Sequence, residues 1–460
     1  MKKHLKAAGL VAALASGAAV LAATPADSID GRWDATLTTR TGTVIPFRLD
    51  LSGSGDNIKG TLYDGFHPYD GTTAATYKDG RLVLDIQHYL TTISAQLQDG
   101  QLAGNVHSQN RGASADYQFH AVRHADPATV AANAPDVSGN WVVPLPAPSS
   151  KGEKAFRFIV EQHGAEIGGS ILRVDGDTGA YTGDFKDGKW VLSHFDGGRP
   201  GIITVIPNAD GTLTIQQRQE RPAAAPAGAA SSAYGADEGT PDGRYAAKFT
   251  AYRPAAALAK GLPAPADYDQ HTTARDPHEK FTFSFPDDHG KLVSSEDPRF
   301  KGKVVLAIVT GTWCPNCHDE AQYLVQLDRK YRDKGLAIVA LDFEEPEQQA
   351  TLEREHAFVK QYGVRYTYLI AGAPEEMWEK VPQLVNLNTW PATVFVGRDG
   401  TVRAVHAGFA SPASGEFNTR LQQEFESRIQ ALLAEKAPVN TSTAASTRAG
   451  AGPVQVAQTN

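Results

Sequence analysis

The chain has 460 residues, 41% hydrophobic and 21% charged, with a formal net charge of −8. That length amounts to roughly two to four ordinary domains, and the composition excludes wholesale disorder. The acidic balance gives no sign of a nucleic-acid binder, which would carry a concentrated basic face.

The first residues, Met1-Lys2-Lys3-His4-Leu5-Lys6, lead into an Ala-, Leu- and Val-rich run over 7–23. A basic head, a short apolar body and small residues describe a signal peptide over 1–22, cleaved after Ala22 or, as second choice, Ala26. Left uncleaved, the same segment would tether the chain to the inner membrane. No cysteine lies near the site, which excludes a lipid anchor. Beyond the leader no uncharged apolar stretch reaches about 18 residues, so a polytopic membrane protein is excluded.

Residues 29–125 and 136–257 repeat each other. Asp30-Gly31-Arg32-Trp33 returns as Ser138-Gly139-Asn140-Trp141, 108 residues later. Phe47-Arg48 returns as Phe156-Arg157, and Ile58-Lys59-Gly60 as Ile167-Gly168-Gly169. The run from Tyr77-Lys78-Asp79-Gly80 to Leu84 matches that from Phe185-Lys186-Asp187-Gly188 to Leu192. Phe119 to Arg123 matches Phe249 to Arg253 at an offset of 130, so the extra residues of the second copy fall in a low-complexity loop, 222–240. Within each copy, alternating apolar and polar residues are punctuated by Asp-Gly pairs. That pattern predicts antiparallel hairpins, hence two tandem β-barrel or β-sandwich units. Trp33 and Trp141 are expected to plug the cores. His88, His107, His120 and His124 lack metal-ligand spacing and are read as surface or core residues.

After a linker over 258–275, the texture becomes strand alternating with helix from residue 276 to 436. Residues 303–309 form a continuous apolar run, the mark of a buried central strand. It leads into Trp313-Cys314-Pro315-Asn316-Cys317-His318 and a helix with Leu324, Leu327 and Tyr331 on one face, stopped by Gly335. Then follow a strand over 336–343, a helix over 346–362 and a strand over 365–370. After Thr389-Trp390-Pro391, two strands flank the Asp399-Gly400 turn, and a last amphipathic helix covers 415–436. This is the element order of a thioredoxin-like α/β/α domain. The remainder, 437–460, reads as a disordered tail.

The only two cysteines are Cys314 and Cys317, too few for a structural disulfide framework. At a helix N-terminus Cys314 meets the positive end of the backbone dipole, which favours thiolate. Cys317 lies one turn down the same face, placed to attack a mixed disulfide. Pro315 suits the first helical turn, and Trp313 forms a lip beside the nucleophile. Other chemistries fit less well. Cys314-Pro315-Asn316-Cys317-His318 also satisfies the C-x-x-C-H pattern of c-type haem attachment, but it follows a buried strand. A peroxidase would need Pro and Thr where this chain has Ala307 and Gly311. Zinc would need two further ligands beyond the cysteine pair. The expected redox group is the Cys314–Cys317 disulfide itself, with no other cofactor and no metal.

Gly302-Lys303-Val304-Val305-Leu306, Trp313-Cys314-Pro315-Asn316-Cys317 and Trp390-Pro391-Ala392-Thr393 make the C-terminal third resemble the TlpA/ResA branch of the thioredoxin superfamily. The branch's insertion is also present, around 371–388. The resemblance implies a thiol–disulfide oxidoreductase, with Cys314 attacking, Cys317 resolving, and Pro391 in the cis position of the fold. Trp390, just before it, would present its backbone to the substrate chain. Where thioredoxin has a buried Asp, this chain has Ile308, and the aligned carboxylate is Glu345, expected to accept the Cys317 proton. A periplasmic reductase of protein or peptide disulfides follows, supplied with electrons by a membrane-bound donor. The repeats would recruit or orient the partner. The alternative class is a β-repeat binding or assembly module with an accessory redox domain.

Overall fold

A computed structural model describes residues 28–110, 113–125, 134–220, 238–239 and 244–436. The expected signal peptide over 1–22, most of the expected 222–240 loop and the expected tail over 437–460 lie outside the described residues.

The N-terminal half contains two large antiparallel sheets. The first comprises β1 (Gly31–Thr38), β2 (Val44–Ser52), β3 (Lys59–Asp64), β4 (His67–Gly71), β5 (Ala74–Lys78), β6 (Arg81–Ile86), β7 (Thr91–Gln98), β8 (Gln101–Asn110) and β9 (Ala113–Arg123). The second comprises β10 (Gly139–Pro144), β11 (Ala155–His163), β12 (Glu166–Arg173), β13 (Gly176–Asp177), β14 (Tyr181–Lys186), β15 (Lys189–His194), β16 (Gly201–Pro207), β17 (Leu213–Glu220), β18 (Glu238–Gly239) and β19 (Arg244–Ala251).

The two sheets carry the same meander, opened at different seams. In the first, β1 pairs along its length with β9, and the break falls between β4 and β5. In the second, β12 pairs directly with β14, and β10 meets the end of β19 only through a bridge between Val142 and Tyr252. Strand alternation drives the curl: Trp33, Ala35 and Leu37 point inward from β1, with Leu49, Leu84, Ile93 and Phe119. The repeat is visible atom by atom. Trp33 Nε1 donates to the Ile29 carbonyl and Trp141 Nε1 to that of Val137, each at 2.9 Å. The Arg123 guanidinium lies 4.3 Å from the Trp33 ring centre, and that of Arg253 lies 3.9 Å from Trp141. At the turns Asp79-Gly80, Asp99-Gly100 and Asp187-Gly188 both residues have positive φ, the type I′ geometry that matches strand twist.

The expected linker is partly structured. It begins within α1 (Pro254–Ala259) and contains α2 (Tyr268–His271) and β20 (Thr273–Ala274). Asp269 of α2 accepts from His406 Nδ1 and Arg428 Nη1, both at 2.9 Å, which fixes this stretch to the C-terminal unit.

That unit opens with a small hairpin, β21 (Ser284–Pro286) and β22 (Leu292–Ser294), then β23 (Val304–Thr310), α3 (Pro315–Tyr331) and β24 (Leu336–Phe343). Next come α4 (Pro346–Gln349), α5 (Glu353–Tyr362), β25 (Thr367–Gly372), α6 (Met377–Lys380) and β26 (Leu384–Val385), which pairs with β20. The chain closes with β27 (Ala392–Val396), β28 (Val402–Ala407) and α7 (Glu416–Ala434). The main sheet has the order β25-β24-β23-β27-β28, parallel for its first three strands and antiparallel thereafter. Every residue of β23 is buried. Val304, Leu306 and Ile308 pack under α3 and α7, while Val305, Ala307 and Val309 meet Phe283, Phe300 and Met377 on the other face. The helix expected over 346–362 is broken: Leu352 has φ +51°, which ends α4 and restarts the chain as α5.

Candidate active site

The buried strand β23 delivers Thr310-Gly311-Thr312-Trp313 to the point where α3 begins. Cys314 is the N-cap residue of α3, with extended backbone, and Pro315 occupies the first helical position, where its missing N–H costs nothing. Both cysteines are thiols, and Cys314 is only 5% exposed. The Cys314 thiol points at the carbonyl of Trp390 at 3.5 Å, and the Trp390–Pro391 peptide is cis. Cys317 is more deeply buried, one turn along. Burial and the neighbouring Cys314 push its thiol well above the ordinary value, against the Thr310 hydroxyl and the Gly311 backbone. A dithiol with one member at the helix tip and one behind it is arranged for sequential attack.

Trp313 and Trp390 stand edge to face over this pair, ring centres 5.2 Å apart, and Trp313 Nε1 donates to the Phe343 carbonyl at 2.9 Å. They line a groove of about 460 Å³ that also includes Glu345 and Trp378. Glu345 is therefore beside the site, but its carboxylate receives Arg354 Nη2 at 2.9 Å. Burial raises its pKa while Arg354 opposes the rise. Arg354 also holds Glu344, which in turn accepts from the Thr312 hydroxyl.

Glu320 was not singled out by the sequence reading. It lies on α3 three residues beyond Cys317, hence on the same helix face, and is fully enclosed. Burial pushes its carboxyl up to about 8, with the Thr393 hydroxyl from β27 as the opposing donor. The sequence signal was available: an acidic residue one turn past a buried cysteine falls on the apolar side of its helix.

The N-terminal sheets pack directly against the motif. Asn316 Nδ2, between the cysteines, donates to the Asp175 carbonyl at 2.7 Å. Gly176 makes a parallel bridge with Phe409, and Asp177 accepts from Ser411 N at 2.7 Å, Ser411 Oγ at 2.9 Å and Ser414 Oγ at 2.7 Å. Gly176 has φ +118°, and a Cβ there would lie 2.4 Å from the Phe409 carbonyl oxygen, so only glycine fits. From the first sheet, the Tyr69 hydroxyl donates to Asp319 at 2.5 Å, and Arg199 joins Asp319 to Asp196. His318, the residue a haem would claim, is stacked on Tyr89 at 4.4 Å. Its Nε2 donates to the Thr312 carbonyl at 2.6 Å, and Nδ1 meets the Tyr362 hydroxyl at 2.9 Å, so both ring nitrogens are engaged. His88 is likewise a buried residue of this contact. Among the described residues no cluster of His, Cys, Asp and Glu is arranged to hold a metal ion, and no helix is long and apolar enough to cross a membrane.

A β-α-β unit completed by an antiparallel hairpin, a C-x-x-C at a helix start and a cis proline facing it define a thioredoxin-type dithiol domain. Comparison with known proteins agrees: residues 277–405 match the model of the AhpC/TSA family. The chain is 31% identical to thiol-disulfide oxidoreductase ResA of Bacillus thuringiensis over 120 residues, 26% of this chain and 62% of that protein. ResA of Halalkalibacterium halodurans is 26% identical over 141 residues, 31% of this chain and 73% of the relative. The chain thus spans 62% of the length of the first curated relatives it matches. Among solved structures, a putative thiol:disulfide interchange protein DsbE from Chlorobium tepidum is 23% identical, covering 34% of this chain and 98% of its own, with a TM-score of 0.28. The C-terminal third is similar to thiol–disulfide oxidoreductases, and the β region before residue 277 is additional to the family match.

Proposed function

We propose that the protein is an exported thiol–disulfide oxidoreductase that reduces disulfides of proteins or peptides by dithiol exchange. The observation that carries this reading is the buried Cys317 thiol one turn behind a Cys314 thiol that faces the Trp390 carbonyl. Cys314 thiolate attacks one sulfur of the substrate disulfide; that S–S bond breaks, a mixed disulfide forms, and the other substrate sulfur leaves as thiolate. Cys317 then gives up its proton and attacks Cys314 Sγ. The mixed disulfide breaks, the second substrate sulfur leaves, and the Cys314–Cys317 disulfide holds the oxidation that the substrate has lost.

We assign acceptance of the Cys317 proton to Glu320. Its pKa, raised by burial to about 8, keeps it close to working pH, whereas Glu345 is held in an ion pair. Pro391 and Trp390 hold the substrate backbone next to Cys314, and Trp313 with Trp390 forms the wall against it. In this reading the β repeats orient the partner and carry no chemistry, and a membrane-bound dithiol donor in the periplasm returns the pair to the reduced state.

Single turnover with the pre-reduced chain tests the proposal. One peptide disulfide should be reduced per chain, with loss of two protein thiols, and none by Cys314→Ser. Reduction of the peptide without loss of the protein thiols would refute dithiol exchange.

A further inference from the structure

The two flanks of Cys314 differ. One is closed by the second sheet: Asn316 is bonded to the Asp175 backbone, Gly176 is bridged to Phe409, and Lys151 Nζ donates to the Asn388 carbonyl at 3.1 Å, just before the cis proline. A polypeptide cannot lie there while these contacts stand. The other flank is the groove of Trp313, Trp390 and Trp378, the last 57% exposed. Such an aromatic surface beside a reacting sulfur is costly to leave in water.

The charge lining the groove is of one sign. Glu347 and Glu375 are exposed on its rim, and no Lys or Arg is among its lining residues. The third carboxylate, Glu345, is already met by Arg354. Tryptophan faces attract cations as well as apolar groups, and two uncompensated carboxylates reinforce that preference. A second copy of this chain, with net charge −8, is a poor electrostatic match.

Resting on the oxidoreductase reading above, we propose that the substrate reaches Cys314 through the tryptophan groove as an extended segment carrying Lys or Arg beside apolar residues. The β region sets this specificity by closing the opposite flank.

The test uses the full pre-reduced chain in single turnover. Its substrates are three disulfide peptides of equal length, flanked by Lys-Leu, Ser-Leu or Glu-Leu, and the neutral bis(2-hydroxyethyl) disulfide. The Lys peptide should react ~10-fold faster than the Glu peptide at low salt, and the ratio should collapse at about 0.5 M salt. The double variant Glu347→Lys/Glu375→Lys should invert the order. Trp378→Ala should slow all three peptides. Equal peptide rates, a preference untouched by charge reversal, or a dimer that buries Trp378 in place of a peptide would overturn the proposal while leaving the oxidoreductase reading intact. Failure to reduce even the small disulfide would overturn that reading, and this proposal with it.

Discussion

Glu320, to which we assign the Cys317 proton, owes its behaviour to burial. Its carboxyl moves from 4.5 to about 8 because α3 and β27 enclose it, leaving the Thr393 hydroxyl as donor. As proton acceptor it must be ionised, so the resolving step should quicken as pH rises through about 8. Glu320→Gln should slow that step ~100-fold and flatten its pH profile, measured as decay of the mixed disulfide. The stability effect has a definite sign. The folded chain keeps a proton that the unfolded chain releases above 4.5, so this group's contribution is full at low pH and is lost as pH rises through about 8. Denaturant titrations should show wild type losing stability against Glu320→Gln across that window; a constant difference would contradict the burial argument. At the same scale, Trp33 is completely enclosed, and Trp33→Ala should cost ~3–5 kcal/mol in a denaturant melt. The cysteine pair and both repeat tryptophans were legible because spacing and repetition specify them, and Pro391 through the family resemblance. Glu320 was not, because the family resemblance points to position 308, which holds Ile308, and to the stretch after β24, which holds Glu345.

At the scale of elements, the turn between β12 and β14 does what no thioredoxin-type domain needs for its own folding: it covers the start of α3. Asp175 and Asn316 are 141 residues apart, so no periodicity or motif connects them, and the contact could not be read from the sequence. The hairpins themselves could be, since Asp-Gly turns and strand alternation are local. The break at Leu352 was hidden for the opposite reason: helical pattern continues across it, and tertiary context decides where the chain turns. Gly176→Val should lift this turn, because both its φ and the Phe409 carbonyl exclude a side chain. Alkylation of Cys314 in the reduced protein should then quicken, with the sheet β23–β28 still folded by circular dichroism. An unchanged alkylation rate would mean that the turn does not limit access.

For the whole molecule, the joint between β region and redox domain is polar and buried. Arg199 spans Asp196 at 2.6 Å and Asp319 at 3.5 Å; both carboxylates are fully buried and the arginine nearly so. Arg199→Ala removes the cation between two buried carboxylates, leaving Asp319 with the Tyr69 hydroxyl and Asp196 with backbone donors, and should cost ~3–5 kcal/mol, seen in a denaturant melt of the full chain. An open linker over 258–275 would let protease release a C-terminal fragment. Leu258 is 82% exposed and open to cleavage, but the Asp269 contacts and the Asp177–Ser411 joint should hold the cut pieces together on gel filtration. Separate elution would show the halves to be independent. The central claim, attack by Cys314 and resolution by Cys317, is tested most directly by trapping. Cys317→Ser should accumulate a mixed disulfide between Cys314 and a peptide or protein substrate, and Cys314→Ser should accumulate none. A trap through Cys317 in Cys314→Ser, with none in Cys317→Ser, would contradict the account.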